Sequence, residues 1–279
     1  MPFTAEERAA VEPLHLVNKP FLDVPEAGMS VAARHADGAC VFFERETRLC
    51  AVHRVGGQRA LPLTCRMFPR IVRHDAIGTR LSLSHYCPTA AALLFGDGDV
   101  AIVRAPEALV NIGELDGLDA RNELPPLLRE GVLMDVESYR AWESAGVQVL
   151  TASANSAQDA IDRLAEITRD ILTWKPGTES LLVRVQHAFG VLGSWELGGG
   201  GSGEAAVSRW LAARLFGNWM AYQGRGLETI VRYVQACFDM FTVEVARDGD
   251  PLQAIRRADY LLIHESDSQE LADRLGSDN

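Results

Sequence analysis

Apolar side chains recur at three- and four-residue spacing through most of the second half of the chain. In segment 156–174 they share one helical face, and Ser156 stands where a helix N-cap belongs. Similar spacing predicts four more helices, over 180–192, 204–222, 226–247 and 251–264. The pattern as a whole is typical of a bundle of amphipathic helices.

The first 95 residues lack this helical periodicity. Segment 5–11 favours a helix, while short apolar runs at 40–43 and 80–84 favour strands. Cys87-Pro88 indicates a further helix start, with Pro88 at the first helical position and Cys87 at the N-cap. We therefore expect a mainly α protein: a loop-rich cysteine module with short strands over 1–104, then a helical domain over 105–279.

A glycine-rich run, 198–203, separates the second and third of these five predicted helices. Such a run can cradle phosphate when a strand precedes it and Lys-Ser/Thr follows it. Neither condition holds here, so the run favours a flexible linker inside the helical domain.

Composition places the chain among ordinary globular proteins. Of 279 residues, 47% are hydrophobic and 23% are charged. No apolar stretch approaches the roughly 18 to 20 residues of a membrane span, so no membrane partner is expected. The N-terminal segment lacks the order of a signal peptide, and a cytoplasmic location follows as the default expectation.

Charge is unevenly distributed along the chain. The formal net charge is −11, which disfavours non-specific binding to nucleic acid. Residues 1–95 hold 11 Lys+Arg and 9 Asp+Glu, a net charge of +2, whereas residues 96–279 hold 16 and 29, a net charge of −13. This asymmetry indicates two regions with different roles.

Four of the five cysteines lie within the mildly basic region, separated by 9, 14 and 21 residues: Cys40, Cys50, Cys65 and Cys87. In a reducing compartment, clustered cysteines favour metal binding or catalysis over disulfides. The spacing contains no C-x2-C pair and is not that of a zinc finger. Small buried hydrophobes are the alternative interpretation, and it is the one that we favour for Cys237, in a predicted helix beside Phe238.

Other side chains near these cysteines are secondary candidates. His53 and His85 lie close to Cys50 and Cys87 in sequence and could replace a cysteine ligand. Arginines between Cys65 and Cys87 could offset the negative charge of a thiolate-bound centre, or could simply form a solvated basic loop. They are Arg66, Arg70, Arg73 and Arg80.

Four segments together resemble the YkgJ-type cysteine-cluster family of zinc- or iron-chelating proteins, which includes the flagellin lysine-N-methylases. These segments are Gly38–Phe42, Cys50–His53, Pro62–Pro69 and Cys87-Pro88, and the resemblance covers about residues 38–95. The family normally has a further cysteine-rich segment ending in Cys-Cys, upstream of a stretch similar to Thr4–Glu7. That segment is not part of this chain.

The resemblance implies a metal centre held by Cys40, Cys50, Cys65 and Cys87, either a 4Fe-4S cluster or zinc. It also implies transfer of a methyl group from S-adenosylmethionine to lysine of a protein such as flagellin. Two alternatives remain open at this point. One is a non-catalytic structural zinc module with a helical domain that binds a basic protein, and the other is a relative that binds no metal.

Overall fold

The computed structural model describes residues 2–76, 78–98, 100–105, 117–152, 156–192, 202–265 and 268–276. The chain divides into two compact units, Met1–Phe68 and Pro69–Asn279. The cysteine module expected over 1–104 therefore spans the division, with Cys40, Cys50 and Cys65 in the first unit and Cys87 in the second. Each unit has its own hydrophobic core.

The first unit consists of short elements around a small aromatic core. Its strands are β1 (Pro2–Phe3), β2 (Phe21–Val24), β3 (Met29–Ala32), β4 (Phe43–Glu44) and β5 (Leu49–Cys50). Its helices are α1 (Ala5–Val11), α2 (Ala51–Gly56) and α3 (Leu63–Met67). The three antiparallel strands β1, β3 and β2 form one sheet, and β4 pairs with β5 in a hairpin. The predicted loop-rich character is confirmed.

The aromatic core of the first unit joins parts of the chain that are distant in sequence. The rings of Phe3 and Phe21 meet edge to face with 4.9 Å between centroids, and Phe42 lies 5.8 Å from Phe21. Phe3 and Phe42 are almost fully buried. Burial of these rings contributes several kcal/mol on an order-of-magnitude scale.

The second unit begins with a β-hairpin and continues as helices. Its strands are β6 (Arg70–Asp75), β7 (Gly78–Leu83), β8 (Leu118–Asp119), β9 (Leu127–Arg129) and β10 (Val132–Leu133). Its helices are α4 (Pro88–Leu93), α5 (Val136–Thr151), α6 (Ala157–Leu172), α7 (Leu181–Leu192), α8 (Ser202–Leu215), α9 (Leu227–Asp248), α10 (Pro251–Tyr260) and α11 (Ser268–Gly276).

The mainly α fold class predicted from the sequence is confirmed by this arrangement. Ser156 caps α6 through a reciprocal capping box with Asp159, as the sequence pattern indicated. Side chains from the long helices form one continuous core in which Trp142 and Trp210 are fully buried. Cys237 is fully buried in this core, which agrees with its interpretation as a small hydrophobe.

One expectation about the helices is corrected. The helix expected over 204–222 ends at Leu215, because Gly217 adopts a left-handed φ of +64°. Asn218 then caps a separate 3-10 turn, Trp219–Tyr222, by accepting a hydrogen bond from the Met220 N–H.

The glycine-rich run expected to be a linker lies mostly outside the described residues. Its last two positions, Ser202 and Gly203, belong to α8. Across the described ranges, none of the helices is both long enough and apolar enough to cross a bilayer.

Gly226 and Gly249 flank α9 and provide a matched test of this packing. Both have left-handed φ values, +63° and +73°. A Cβ at Gly226 would overlap the backbone carbonyl of Leu127, whereas one at Gly249 has no heavy atom within 4 Å. We expect Gly249→Ala to lower the free energy of unfolding by about 1 kcal/mol, and Gly226→Ala by on the order of 3 kcal/mol or more. Denaturant titration measures both, and equal losses would contradict the close approach.

Candidate metal centre

Cys40 and Cys50 are brought near each other by the β4–β5 hairpin. Cys50 ends β5 and pairs with Phe43 of β4, whose N–H donates a hydrogen bond to the Cys40 carbonyl over 2.9 Å. Cys40 also forms an isolated antiparallel bridge with Arg34. Both cysteines are half-buried against the core of the first unit. The strand predicted over 40–43 begins only at Phe43, and Cys40 precedes it.

Cys65 lies near these two cysteines, although 14 residues separate it from Cys50 in sequence. It occupies α3, whose start is fixed by a 2.6 Å hydrogen bond from the Leu63 N–H to the Glu7 carboxylate. Burial and, to a smaller extent, the charges of the neighbouring Cys50 and Cys40 together raise the pKa of the Cys65 thiol to about 11. The three thiols therefore share one electrostatic neighbourhood inside the first unit.

Cys87 occupies the predicted position in the second unit, at the N-cap of α4 with Pro88 in the first turn. Its thiol makes no capping hydrogen bond and is half-buried. All five cysteines are free thiols. The Cys87 thiol therefore makes no hydrogen bond that caps α4.

A fully buried carboxylate holds the three residues before Cys87. One oxygen of Asp259, in α10, accepts hydrogen bonds from the Ser84 hydroxyl at 3.1 Å and from the His85 and Tyr86 N–H groups at 2.7 and 3.2 Å. Its other oxygen accepts from the Trp210 indole at 2.9 Å. The sequence analysis missed Asp259. The signal that could have identified it is a carboxylate on the apolar face of the amphipathic helix predicted over 251–264.

The two candidate histidines occupy different environments. His53 is exposed on α2 in the first unit. His85 is buried in the second unit, where burial and the adjacent Arg214 lower its pKa to about 3. Its imidazole is therefore neutral at physiological pH. Their assignment as ligands stays a prediction.

The four arginines between Cys65 and Cys87 do not form a single basic loop. Arg66 is in the first unit, and the other three are in the hairpin that begins the second. Arg73 is buried and donates from Nε to the Asp75 carboxylate at 2.9 Å, and Arg80 pairs with the buried Glu143. Carboxylates of the second unit thus balance two of the four charges. The solvated-loop alternative is therefore wrong for Arg73 and Arg80, while the roles of Arg66 and Arg70 near a metal centre stay a prediction.

Cysteine side chains are suitable ligands for a soft metal, but their placement in this structure is less suitable. Cysteine thiolates are the usual ligands of structural zinc and of iron–sulfur clusters. Among the residues that the structure describes, however, no three His, Cys, Asp or Glu side chains are placed so that they could hold an ion together. The first-unit thiols are neighbours without being a closed coordination shell, and metal binding would have to draw them closer.

Comparison with known proteins identified no relative of this chain. No family model, no curated protein and no solved structure matches the chain. The resemblance to the YkgJ-type family therefore stays a prediction from the four sequence segments.

Thiol labelling tests the different burial of the cysteines. In reduced, metal-free protein, we expect a maleimide to modify Cys40, Cys50 and Cys87 readily and Cys65 more slowly, because the Cys65 pKa is about 11. Cys237 should react at least about a hundredfold more slowly than Cys40, Cys50 and Cys87. The reason is that Cys237 is fully buried in the helical core and burial raises its pKa to about 12. Peptide mass spectrometry assigns the sites, with denatured protein as the control. Labelling of Cys237 at the rate of Cys40, Cys50 and Cys87 would contradict this packing.

Proposed function

We propose that the protein binds a metal through the thiols of Cys40, Cys50 and Cys65, as zinc or as an iron–sulfur cluster. The observation that carries the proposal is the neighbourhood of Cys65, whose pKa is raised by burial and, in addition, by the charges of the nearby Cys50 and Cys40. Residues 40, 50 and 65 come from a bridge, a hairpin strand and a separate helix. Convergence of three cysteines from three elements favours a common ligand over independent burial.

Cys87 is the fourth ligand in this proposal, and its role rests on the sequence pattern. Four thiolates complete one tetrahedral zinc site or one cubane cluster. Free thiols of this kind are typical of a reducing compartment such as the cytoplasm.

The resemblance extends the proposal to methyl transfer from S-adenosylmethionine to lysine of a protein such as flagellin. This activity stays a prediction of the resemblance alone. The alternative is a structural zinc module whose acidic helical domain binds a basic protein, and the net charge of −13 over residues 96–279 favours such a partner. Metal identity separates the two, since brown protein with a broad visible absorption band indicates a cluster and colourless protein with stoichiometric zinc indicates the structural module.

Matched alanine substitutions test the metal-binding proposal. We expect Cys65→Ala, in protein purified anaerobically, to lose most of the bound metal because one of few ligands is removed. Cys237→Ala should keep the full metal content and lose about 1 kcal/mol of stability through a small core cavity. Elemental analysis gives metal per chain, and thermal unfolding with and without a chelator gives the stability that the metal contributes.

Two results would contradict metal binding. One is wild-type protein that contains no zinc or iron and gains no stability when either is added. The other is Cys65→Ala protein that holds as much metal as Cys237→Ala protein.

A further inference from the structure

The turn of the β4–β5 hairpin borders an open cleft in the first unit. The cleft has a volume of about 710 Å³, and small-molecule sites have volumes of roughly 300 to 1,000 Å³. Val41 and the exposed Phe43 give the cleft an apolar side. Charged side chains that also line it are Glu44, Arg45, Glu46 and Arg54. The cleft therefore combines an aromatic surface with charges of both signs.

The two arginines are held in place by carboxylates of the same unit. Arg54 pairs with Glu44 through Nε and Nη2, and the Thr47 hydroxyl donates a further hydrogen bond to this carboxylate at 3.0 Å. Arg45 pairs with Asp37 through Nη2. A guanidinium has five N–H donors, so both arginines keep donors for another acceptor. Their positions are fixed before any ligand binds, which lowers the entropic cost of binding.

Glu46 differs from the other charged residues of the cleft. It is exposed at the hairpin turn, and its carboxylate has no hydrogen-bond or ion-pair partner among the described residues. The charges of Arg45 and Arg54 are balanced by their paired carboxylates. Glu46 therefore gives the cleft its net negative charge, and it is available to a cationic group.

We propose that this cleft binds a free α-amino acid with an apolar side chain. The ligand carboxylate accepts hydrogen bonds from Arg45 and Arg54, and the ligand ammonium group pairs with Glu46. The apolar side chain lies against Phe43 and Val41, where it leaves water. The inference goes beyond the proposed function and does not depend on a metal.

Charge complementarity favours this ligand class over the simpler ones. An anion without an ammonium group would be repelled by Glu46, and a cation without a carboxylate would leave the arginine donors unused. A residue inside a polypeptide has neither charged group of a free amino acid, and a chain terminus has only one of them. A zwitterion with an apolar side chain matches all three features of the cleft.

NMR titration of the full chain with L-phenylalanine tests this site. We expect saturable shifts of the amide signals of residues 43–47, with a Kd in the millimolar range or below, on the order of what a ligand of this size reaches in an open cleft. N-acetyl-L-phenylalanine and L-phenylalanine amide each lack one charge and should bind about fivefold more weakly. Glycine, which lacks the apolar side chain, should also bind more weakly.

Glu46→Gln and Arg48→Gln form a matched pair of variants. Both remove one exposed charge from the same turn, but Arg48 does not line the cleft. Exposed substitutions of this kind leave the fold intact. Glu46→Gln should weaken L-phenylalanine binding about fivefold and bring it to within about twofold of N-acetyl-L-phenylalanine binding, because the partner of the ammonium group is gone. Arg48→Gln should change the Kd less than about twofold.

Three results would overturn the proposal. One is a titration in which L-phenylalanine causes no saturable shift at residues 43–47. Another is equal binding of L-phenylalanine and its two singly charged derivatives by the wild-type protein. The third is Glu46→Gln protein that binds L-phenylalanine as tightly as Arg48→Gln protein does.

Discussion

The placing of three thiols in one partly buried neighbourhood is the constraint on which this account depends. Burial, with the charges of the two neighbouring cysteines acting in the same direction, raises the pKa of Cys65 to about 11. Without a cation, the Cys65 thiol therefore stays protonated, and the hairpin and α3 hold the three sulfurs in place. A bound cation would favour ionised thiolates instead, because metal ligands bind in the deprotonated form. Metal binding and proton release would then be linked.

The two units hold their cysteines by different means. In the first, short elements around an aromatic core place Cys40, Cys50 and Cys65 near one another. In the second, a buried carboxylate on a helix fixes the backbone ahead of Cys87. Buried ionic groups often add little net stability, and they are best explained by the conformation that they specify. The Asp259 carboxylate fits this explanation, since three of its hydrogen bonds come from the short segment Ser84–Tyr86.

The amino-acid sequence predicted regular helices well, because their signals are local. Ser156 and Asp159 form a capping box that spans four residues, and α6 follows it with an unbroken apolar stripe. The sequence analysis did not place α5, whose buried face includes the polar residues Ser138 and Glu143. Glu143 is explained by Arg80 and by the Gly217 N–H, both of which are far away in sequence. Likewise, Asp259 could be interpreted only once Ser84 and Trp210 were seen beside it. Spacing alone identified the four cysteines, but it could not show which of them share a neighbourhood.

X-ray absorption at the metal edge, on anaerobically purified protein, tests the central claim most directly, since it counts the sulfur atoms bound to the metal. We expect at least three sulfur ligands, at about 2.3 Å from the metal for either zinc or iron. A coordination shell made only of oxygen and nitrogen, or a protein in which no metal edge is detected, would contradict the account.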